Sequence, residues 1–195
     1  MDSGADRLQL TRHVTRRKLR RAHAALLASL DLEIEQASDP ALCEASAPAV
    51  SKWSVKDHLE HLSIASGGIV SWIARARDGD PELDTGGGPS LAGRIVLLVG
   101  AFPRGRGKAP ERTLPKGTSA AELAAKLRGI RERVQGLEGS LAQLQASSAT
   151  RNHIAFGNLN AAQWLQFAVI HDNHHQKIIR DVLKARSDRG AAGAA

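Results

Sequence analysis

The sequence has one cysteine, no tyrosine and only six aromatic residues among 195. Because Cys43 is alone, an internal disulfide is excluded, and we expect a reducing, cytoplasmic location. The few aromatic side chains leave little surface on which nucleic-acid bases could stack. The longest apolar run, residues 95–102, is far shorter than the roughly 20 residues that cross a bilayer. We therefore expect no membrane span and no nucleic-acid partner.

Length and composition are those of a globular protein. Hydrophobic residues make up 42% of the chain and charged residues 24%, which suffices for one substantial core. We expect a single domain over residues 1–195, with residues 187–195 as a disordered tail rich in Gly and Ala.

The net charge of +7 is concentrated in two segments. Residues 7–21 and 94–116 hold 13 of the 27 basic residues and one of the 20 acidic residues, so the remainder of the chain is acidic. Such runs are usually a solvated helix face or loop. The alternative is that the protein is a non-catalytic interaction module, in which the basic first helix binds nucleic acid or acidic lipid.

Apolar residues recur at helical intervals through most of the chain and predict four long helices. Ser54 with Asp57, Ser119 with Glu122 and Asn160 with Gln163 are capping signals at three of the four starts. The long helices are predicted at residues 5–37, 54–78, 119–144 and 160–186, and loops at 38–52, 79–90, 103–117 and 147–159. Residues 91–102 are predicted as a short buried helix, although their apolar pattern would also fit a strand. This pattern predicts an all-α fold, an antiparallel four-helix bundle with a short extra helix between helices two and three and no strands.

The last helix carries histidines on its apolar face. Stepping by three and four from Trp164 leads to His171 and His175. Imidazoles four residues apart on a helix can converge on one metal ion, and a filled site offsets the cost of burying them. The alternative is a pair of hydrogen-bonded core histidines or a purely structural metal.

A third ligand must come from another element. The candidates are His58 and His61 on helix two, His153 in a loop, and His13 and His23 on the first helix. Helical phase puts His58 nearer the middle of the apolar stripe than His61, but the residue types alone do not separate the two.

The order of these motifs resembles the DinB/YfiT-like superfamily of metal-binding four-helix bundles. The resemblance rests on Trp53-Ser54-x-x-Asp57-x-Leu59-x-His61-Leu62, on His171-x-x-x-His175, and on the segment from His153 through Phe156-Gly157 to Gln163-Trp164. It implies His61, His171 and His175 as metal ligands. It further implies the neighbours and alternative ligands His58, His174, Asp172 and Trp164, and the structural residues Trp53, Asp57, His153 and Gly157. Ile178 departs from the family pattern, where Gln or His is common.

The function implied by this resemblance is that of a metal-dependent enzyme acting on a small-molecule substrate. A zinc or nickel ion on three histidines keeps an open position, which can hold a low-molecular-weight thiol as thiolate for transfer or lower the pKa of water for hydrolysis. Thiol transfer asks for no separate general base, so we favour it over the hydrolase. A homodimer would also be consistent with the family. The sequence fits the HExxH motif of zinc proteases less well, since Asp172 stands where that motif has Glu.

Overall fold

The computed structural model describes residues 14–101 and 109–192, and these are mostly helical. None of the helices in these ranges is long and apolar enough to cross a membrane. In chain order the elements are α1 (Arg16–Ser38), α2 (Pro40–Cys43), α3 (Val55–Arg77), α4 (Leu91–Val99), α5 (Ala120–Gln135), α6 (Leu141–Ala146), β1 (Thr150–His153), β2 (Gly157–Asn160) and α7 (Ala161–Ala192), with single 3-10 turns at Glu111–Thr113 and Glu138–Ser140.

The starts of three long helices follow the predicted capping signals. Ser54 and Asp57 exchange side-chain and backbone hydrogen bonds at the start of α3, and Ser119 and Glu122 do the same for α5. Asn160 and Gln163 form the equivalent pair before α7, since Gln163 N donates to Asn160 Oδ1 and Asn160 N to Gln163 Oε1. These bonds satisfy backbone donors that a helix start would otherwise leave exposed.

The long helices pack side by side around one hydrophobic core. α1 lies against α5 and α7, and α3 lies against the same two helices. The side chains that fill the space between them are mainly leucines with no exposed surface, for example Leu26, Leu30, Leu59, Leu127 and Leu165. Each helix therefore turns its apolar stripe toward the others and its charged residues toward solvent.

Several predicted boundaries differ from the observed ones. α1 begins at Arg16, where Thr15 is the N-cap, and the predicted helix over residues 5–13 lies outside the described residues. The loop predicted over residues 38–52 contains α2, which Asp39 caps. α7 continues to Ala192, six residues beyond the predicted end, and residues 193–195 of the predicted tail lie outside the described residues.

Helix three and the segment after it were predicted wrongly. The continuous helix over residues 119–144 is divided, because α5 ends before Gly136 and a 3-10 turn containing Gly139 precedes α6. Two glycines within four residues weaken the helix there. The predicted loop over residues 147–159 contains an antiparallel hairpin, with Arg151 opposite Leu159 and His153 opposite Gly157. The expectation of no strands was therefore wrong. The expectation that the short helix after residue 90 is buried was also wrong, because α4 buries only Gly93 and Val96 and leaves most of its large apolar side chains exposed.

α4 and the hairpin are held together by close backbone contact. Ser90 N donates to Phe156 O, and Gly157 adopts a φ of 75° beside the backbone of residues 88–90. A Cβ on Gly157 would approach Ser90 N to 2.7 Å, and a Cβ on Gly93 would approach Phe156 O to 2.4 Å. Only glycine fits at these two positions. The hairpin, which leads directly into α7, is thereby fixed against α4.

We expect Gly93→Ala to destabilise the protein by about 1–3 kcal/mol, because the added methyl group would push α4 off the hairpin. The measurement is the free energy of unfolding in urea. Gly129→Ala is the matched control. It also lies inside a helix, but its Cβ would meet nothing within 4 Å, so a gain of about 0.5–1 kcal/mol is expected. Equal effects of the two changes would contradict the close-contact argument.

Candidate metal centre

Three imidazoles from two helices converge at one end of the core. His61 lies in the second turn of α3, and His171 and His175 lie one turn apart in the middle of α7. One nitrogen of each ring lies within 4.8 Å of the corresponding nitrogens of the other two. His61 and His175 are buried, and His171 is partly buried. Packing of α3 against α7 thus assembles the His61–His171–His175 cluster.

The spacing of this cluster suits a divalent cation. Nε2 of His61 lies 3.1 Å from Nε2 of His171. Two nitrogens bound tetrahedrally to one zinc ion at about 2.0–2.1 Å lie roughly 3.4 Å apart, so the observed distance needs only a small adjustment. Neutral imidazole nitrogens are also the donors that zinc and nickel accept readily. The cluster is therefore compatible with metal binding.

The carbonyl of Thr113 determines which nitrogen of His61 faces the cluster. Nδ1 of His61 lies 2.8 Å from Thr113 O, and because a carbonyl only accepts, Nδ1 must carry the proton. Nε2 then presents its lone pair toward His171. Glu60 fixes the chain a few residues after Thr113, because its buried carboxylate accepts hydrogen bonds from Gly117 N and Thr118 N. Orientation of a ligand by a hydrogen bond at its other nitrogen is usual in metal sites.

A second chain of hydrogen bonds orients His175. Nδ1 of His175 lies 2.9 Å from Nδ1 of His58, and Nε2 of His58 lies 3.0 Å from Ser51 Oγ, which also accepts from Trp53 N. If His175 Nδ1 donates to His58, then His58 Nε2 donates to Ser51 and His175 Nε2 keeps its lone pair for a cation. The reverse direction would place a proton on His175 Nε2. His58 is thus positioned to support His175.

Burial keeps these rings neutral at neutral pH. Desolvation, with a smaller contribution from nearby imidazoles, lowers the pKa of His58 to about 4 and that of His171 to about 3. Desolvation also lowers the pKa of His61 and, most strongly, that of His175, where His171 adds to the effect. A metal ligand must be unprotonated. The cluster therefore meets this condition without a separate base.

The cluster opens onto a cavity of about 630 Å³. Its apolar wall includes Phe156, Phe167 and Ile178, and its mouth includes Lys52 and the exposed side chain of Ile154. Ala109, Pro110 and Leu114 extend the wall, so the end of the segment predicted as a basic loop borders the cavity. Its volume lies within the range typical of sites for small molecules.

The remaining predicted residues divide between the cavity and the scaffold. His174 and Trp53 line the cavity, and the ring of Trp53 lies 5.3, 5.1 and 6.2 Å from those of His58, His61 and His175. His153 lines the cavity, and its ring stacks on Phe156 at 4.4 Å. Three others are structural: Asp57 in the α3 cap, Gly157 in the hairpin, and Trp164, which is buried and donates from Nε1 to Arg151 O.

The side chain of Asp172 lies in the helical core and is not part of the cavity lining. It is fully buried, accepts a hydrogen bond from Ser66 Oγ, and interacts electrostatically with the fully buried Glu33 of α1. Desolvation raises the pKa of Asp172 to about 7, and desolvation together with the charge of Asp172 raises the pKa of Glu33 well above its usual range. Asp172 is therefore a core residue whose ionisation lowers the stability of the fold.

Sequence reasoning missed several residues of this region. Thr113 acts through its backbone, so no residue type signals its role. Glu33 could have been found, because it falls three residues after Leu30 and four before Ala37 on the buried stripe of α1. Ser51 and Lys52 precede the capping box by a few residues and have no signature of their own. The apolar residues of the cavity wall are of the same types as core residues, so the sequence does not distinguish the two.

Comparison with known proteins adds one finding. A sequence model described as the DinB superfamily matches residues 17–179, which is most of the chain and includes all the histidines of the cavity. No curated protein and no solved structure matches the chain.

We expect Asp172→Asn to stabilise the metal-free protein at pH 8 by roughly 1–3 kcal/mol. The folded-state pKa of Asp172 is raised, so its protonated form contributes stability that is complete below pH 4 and is lost as the pH rises through about 7. Asparagine does not ionise and avoids this loss. The measurement is urea unfolding with chelator at pH 4, 6 and 8, and the gap between the two proteins should widen with pH.

Asp188→Asn is the control, because this carboxylate lies on the same helix but is exposed. It should leave stability nearly unchanged at every pH. A gap for Asp172→Asn that stays constant from pH 4 to pH 8 would show that the carboxyl group is not forced to ionise in the core.

Proposed function

Because the chain belongs to the DinB superfamily, we propose that it is a metal-dependent enzyme whose His61, His171 and His175 hold one divalent cation. The observation that carries this proposal is the convergence of three neutral imidazole nitrogens at the base of a cavity. A structural zinc site is normally closed by four protein ligands, whereas three leave a position for substrate. Zinc or nickel suits an all-imidazole set.

We propose that the fold is a single domain built as an antiparallel four-helix bundle, with α4 as the short extra helix. The pairing of α1 and α3 with both α5 and α7, around one core, supports this arrangement. Bundles of this kind place metal sites between facing helices. The cluster between α3 and α7 fits that scheme.

We propose a small molecule with an apolar body as the substrate. Phe156, Phe167 and Ile178 would contact that body, while Lys52 at the mouth offers a cation to a negatively charged group. Arg112 lies close enough to His153 to help lower the pKa of that imidazole, so a second positive charge lies near the cavity wall. Opposite charge at a cavity mouth raises the local concentration of an anion.

The reaction we favour is transfer of a thiol to an electrophilic carbon. A divalent cation with an open position lowers the pKa of a thiol, or of water, that binds it. The sulfur lone pair would form the new bond to carbon as the leaving group departs with its electron pair. Of the described residues that line the cavity, none is an Asp or Glu that could serve as a general base for water. Thiol transfer needs no such base.

The alternative is hydrolysis. The observation in its favour is that His153 and His174 line the cavity outside the proposed ligand set and could accept a proton from water. Burial lowers the pKa of His153 to about 4, which makes that ring a weak base. Hydrolysis is therefore the second candidate.

The metal proposal is tested by the metal content of purified protein after equilibration with zinc or nickel. We expect about one ion per wild-type chain and none in His171→Ala/His175→Ala, because the double change removes two of three ligands. His174→Ala is the matched control and should retain its ion. Equal metal content in the double variant and the wild type would exclude the site.

His58→Asn probes the support given to His175 and should weaken zinc binding by about 10–100-fold without abolishing it. Circular dichroism checks that each variant is folded.

The absorption spectrum of the cobalt-substituted wild type provides a readout that needs no variant. A spectrum without nitrogen-ligated cobalt bands would count against the ligand set.

The reaction is tested with the metal-loaded protein, an electrophilic acceptor and several cellular thiols. We expect thiol consumption and leaving-group release at equal rates, both abolished by chelator and restored by the metal. Thiol binding should also change the cobalt spectrum, which separates binding from turnover. Absence of both signals with every thiol, together with release of product from ester or amide substrates, would favour hydrolysis.

A further inference from the structure

α4 presents an apolar face to solvent. Leu91, Ile95, Leu98 and Val99 are 75%, 53%, 81% and 66% exposed, although they are large hydrophobic residues. The opposite side of the helix is buried at Gly93 and Val96 against the hairpin and α7. At positions 1, 5, 8 and 9 of the helix, the exposed side chains form one continuous stripe, which we term the α4 face. Contiguous exposed apolar surface usually marks an interaction site.

The sequence that contains α4 carries only positive charge. From Thr85 to Pro110 the sequence contains four basic residues and no acidic residue. Arg94 is exposed and lies at the edge of the apolar stripe, three residues after Leu91 and four before Leu98. A short helix with an apolar face and flanking cations is the pattern of a segment that lies in the interface of an anionic membrane.

We propose that the α4 face docks the protein reversibly onto an anionic phospholipid surface. The apolar side chains would enter the boundary between headgroups and acyl chains, and Arg94 would pair with lipid phosphates. A second copy of the chain fits less well, since twofold contact between two such faces would bring Arg94 of each copy to the same interface, and α4 itself offers no acidic partner. The exposed basic residues of α1 offer charge but no comparable apolar stripe.

The position of the α4 face relative to the cavity supports this role. Ser90, at the start of α4, contacts the hairpin turn at Ala155 and Phe156, and both of those residues line the cavity. Ile154 in the same turn is 93% exposed at the cavity mouth. Docking through α4 would therefore bring the mouth near the lipid surface, where apolar substrates are concentrated.

The test is flotation of the full chain with vesicles of phosphatidylcholine alone or of equal parts phosphatidylcholine and phosphatidylglycerol. We expect binding to the anionic vesicles only, weakened by salt and unaffected by chelator. Ile95→Gln/Leu98→Gln should weaken binding about tenfold or more, because it removes the inserted side chains. The matched control Leu32→Gln/Val50→Gln changes exposed apolar residues elsewhere and should bind as the wild type does.

Four outcomes would overturn the proposal. Wild-type protein that ignores both vesicles, or binds both equally, removes the lipid argument. Unchanged binding of the α4 double variant, with loss on Arg17→Gln/Arg20→Gln, would place the contact on α1. A dimer by analytical ultracentrifugation that the α4 double variant converts to monomer would assign the face to a second copy. Metal content is measured in parallel, so failure here is distinct from failure of the metal site.

Discussion

The burial of several imidazoles at one place is the constraint on which this structure depends. Each ring needs a partner for both nitrogens, because an unsatisfied polar atom in the interior costs free energy. Thr113 O and Ser51 Oγ satisfy the nitrogens of His61 and His58 that point outward. The nitrogens of the cluster are left facing one another, where only a shared proton or a cation can lie between them. The scaffold thus forms a site that is compatible with a cation.

α7 carries two polar surfaces that serve different purposes. One holds His171 and His175 toward the cavity. The other holds Gln176 toward Gln36 of α1, and Asp172 toward Glu33 of α1 and Ser66 of α3. Gln176 satisfies its amide by exchanging hydrogen bonds with Gln36, both about 3 Å long. Asp172 and Glu33 each retain one oxygen without a hydrogen-bond partner among the described residues. The interior of this protein is therefore less apolar than its leucine-rich core suggests, and its charge state is set largely by desolvation.

The cavity depends on elements that are peripheral to the helical core. The hairpin supplies His153 and Phe156, and the segment ending at Leu114 supplies another wall, which the hydrogen bond between His61 and the carbonyl of Thr113 attaches to α3. Gly157 and Gly93 permit the hairpin and α4 to approach each other. The helices therefore position the three clustered histidines, whereas the connecting segments shape the cavity onto which that cluster opens. The same segments place the exposed face of α4 beside the cavity mouth.

Local sequence was enough to determine the starts of three long helices and one pair of ligand candidates. Capping at Ser54, Ser119 and Asn160 depends on residues three apart, and the spacing of His171 and His175 depends on one turn of helix, so neither requires distant contacts. The hairpin was not predictable in this way, because its four-residue strands owe their order to contact with residues 85–90. Only tertiary packing brought His61 into the cluster and left His58 to support His175, since both lie near the same face of α3. It also turned Asp172 toward Glu33, a residue 139 positions away in the sequence, and no local pattern carries that information.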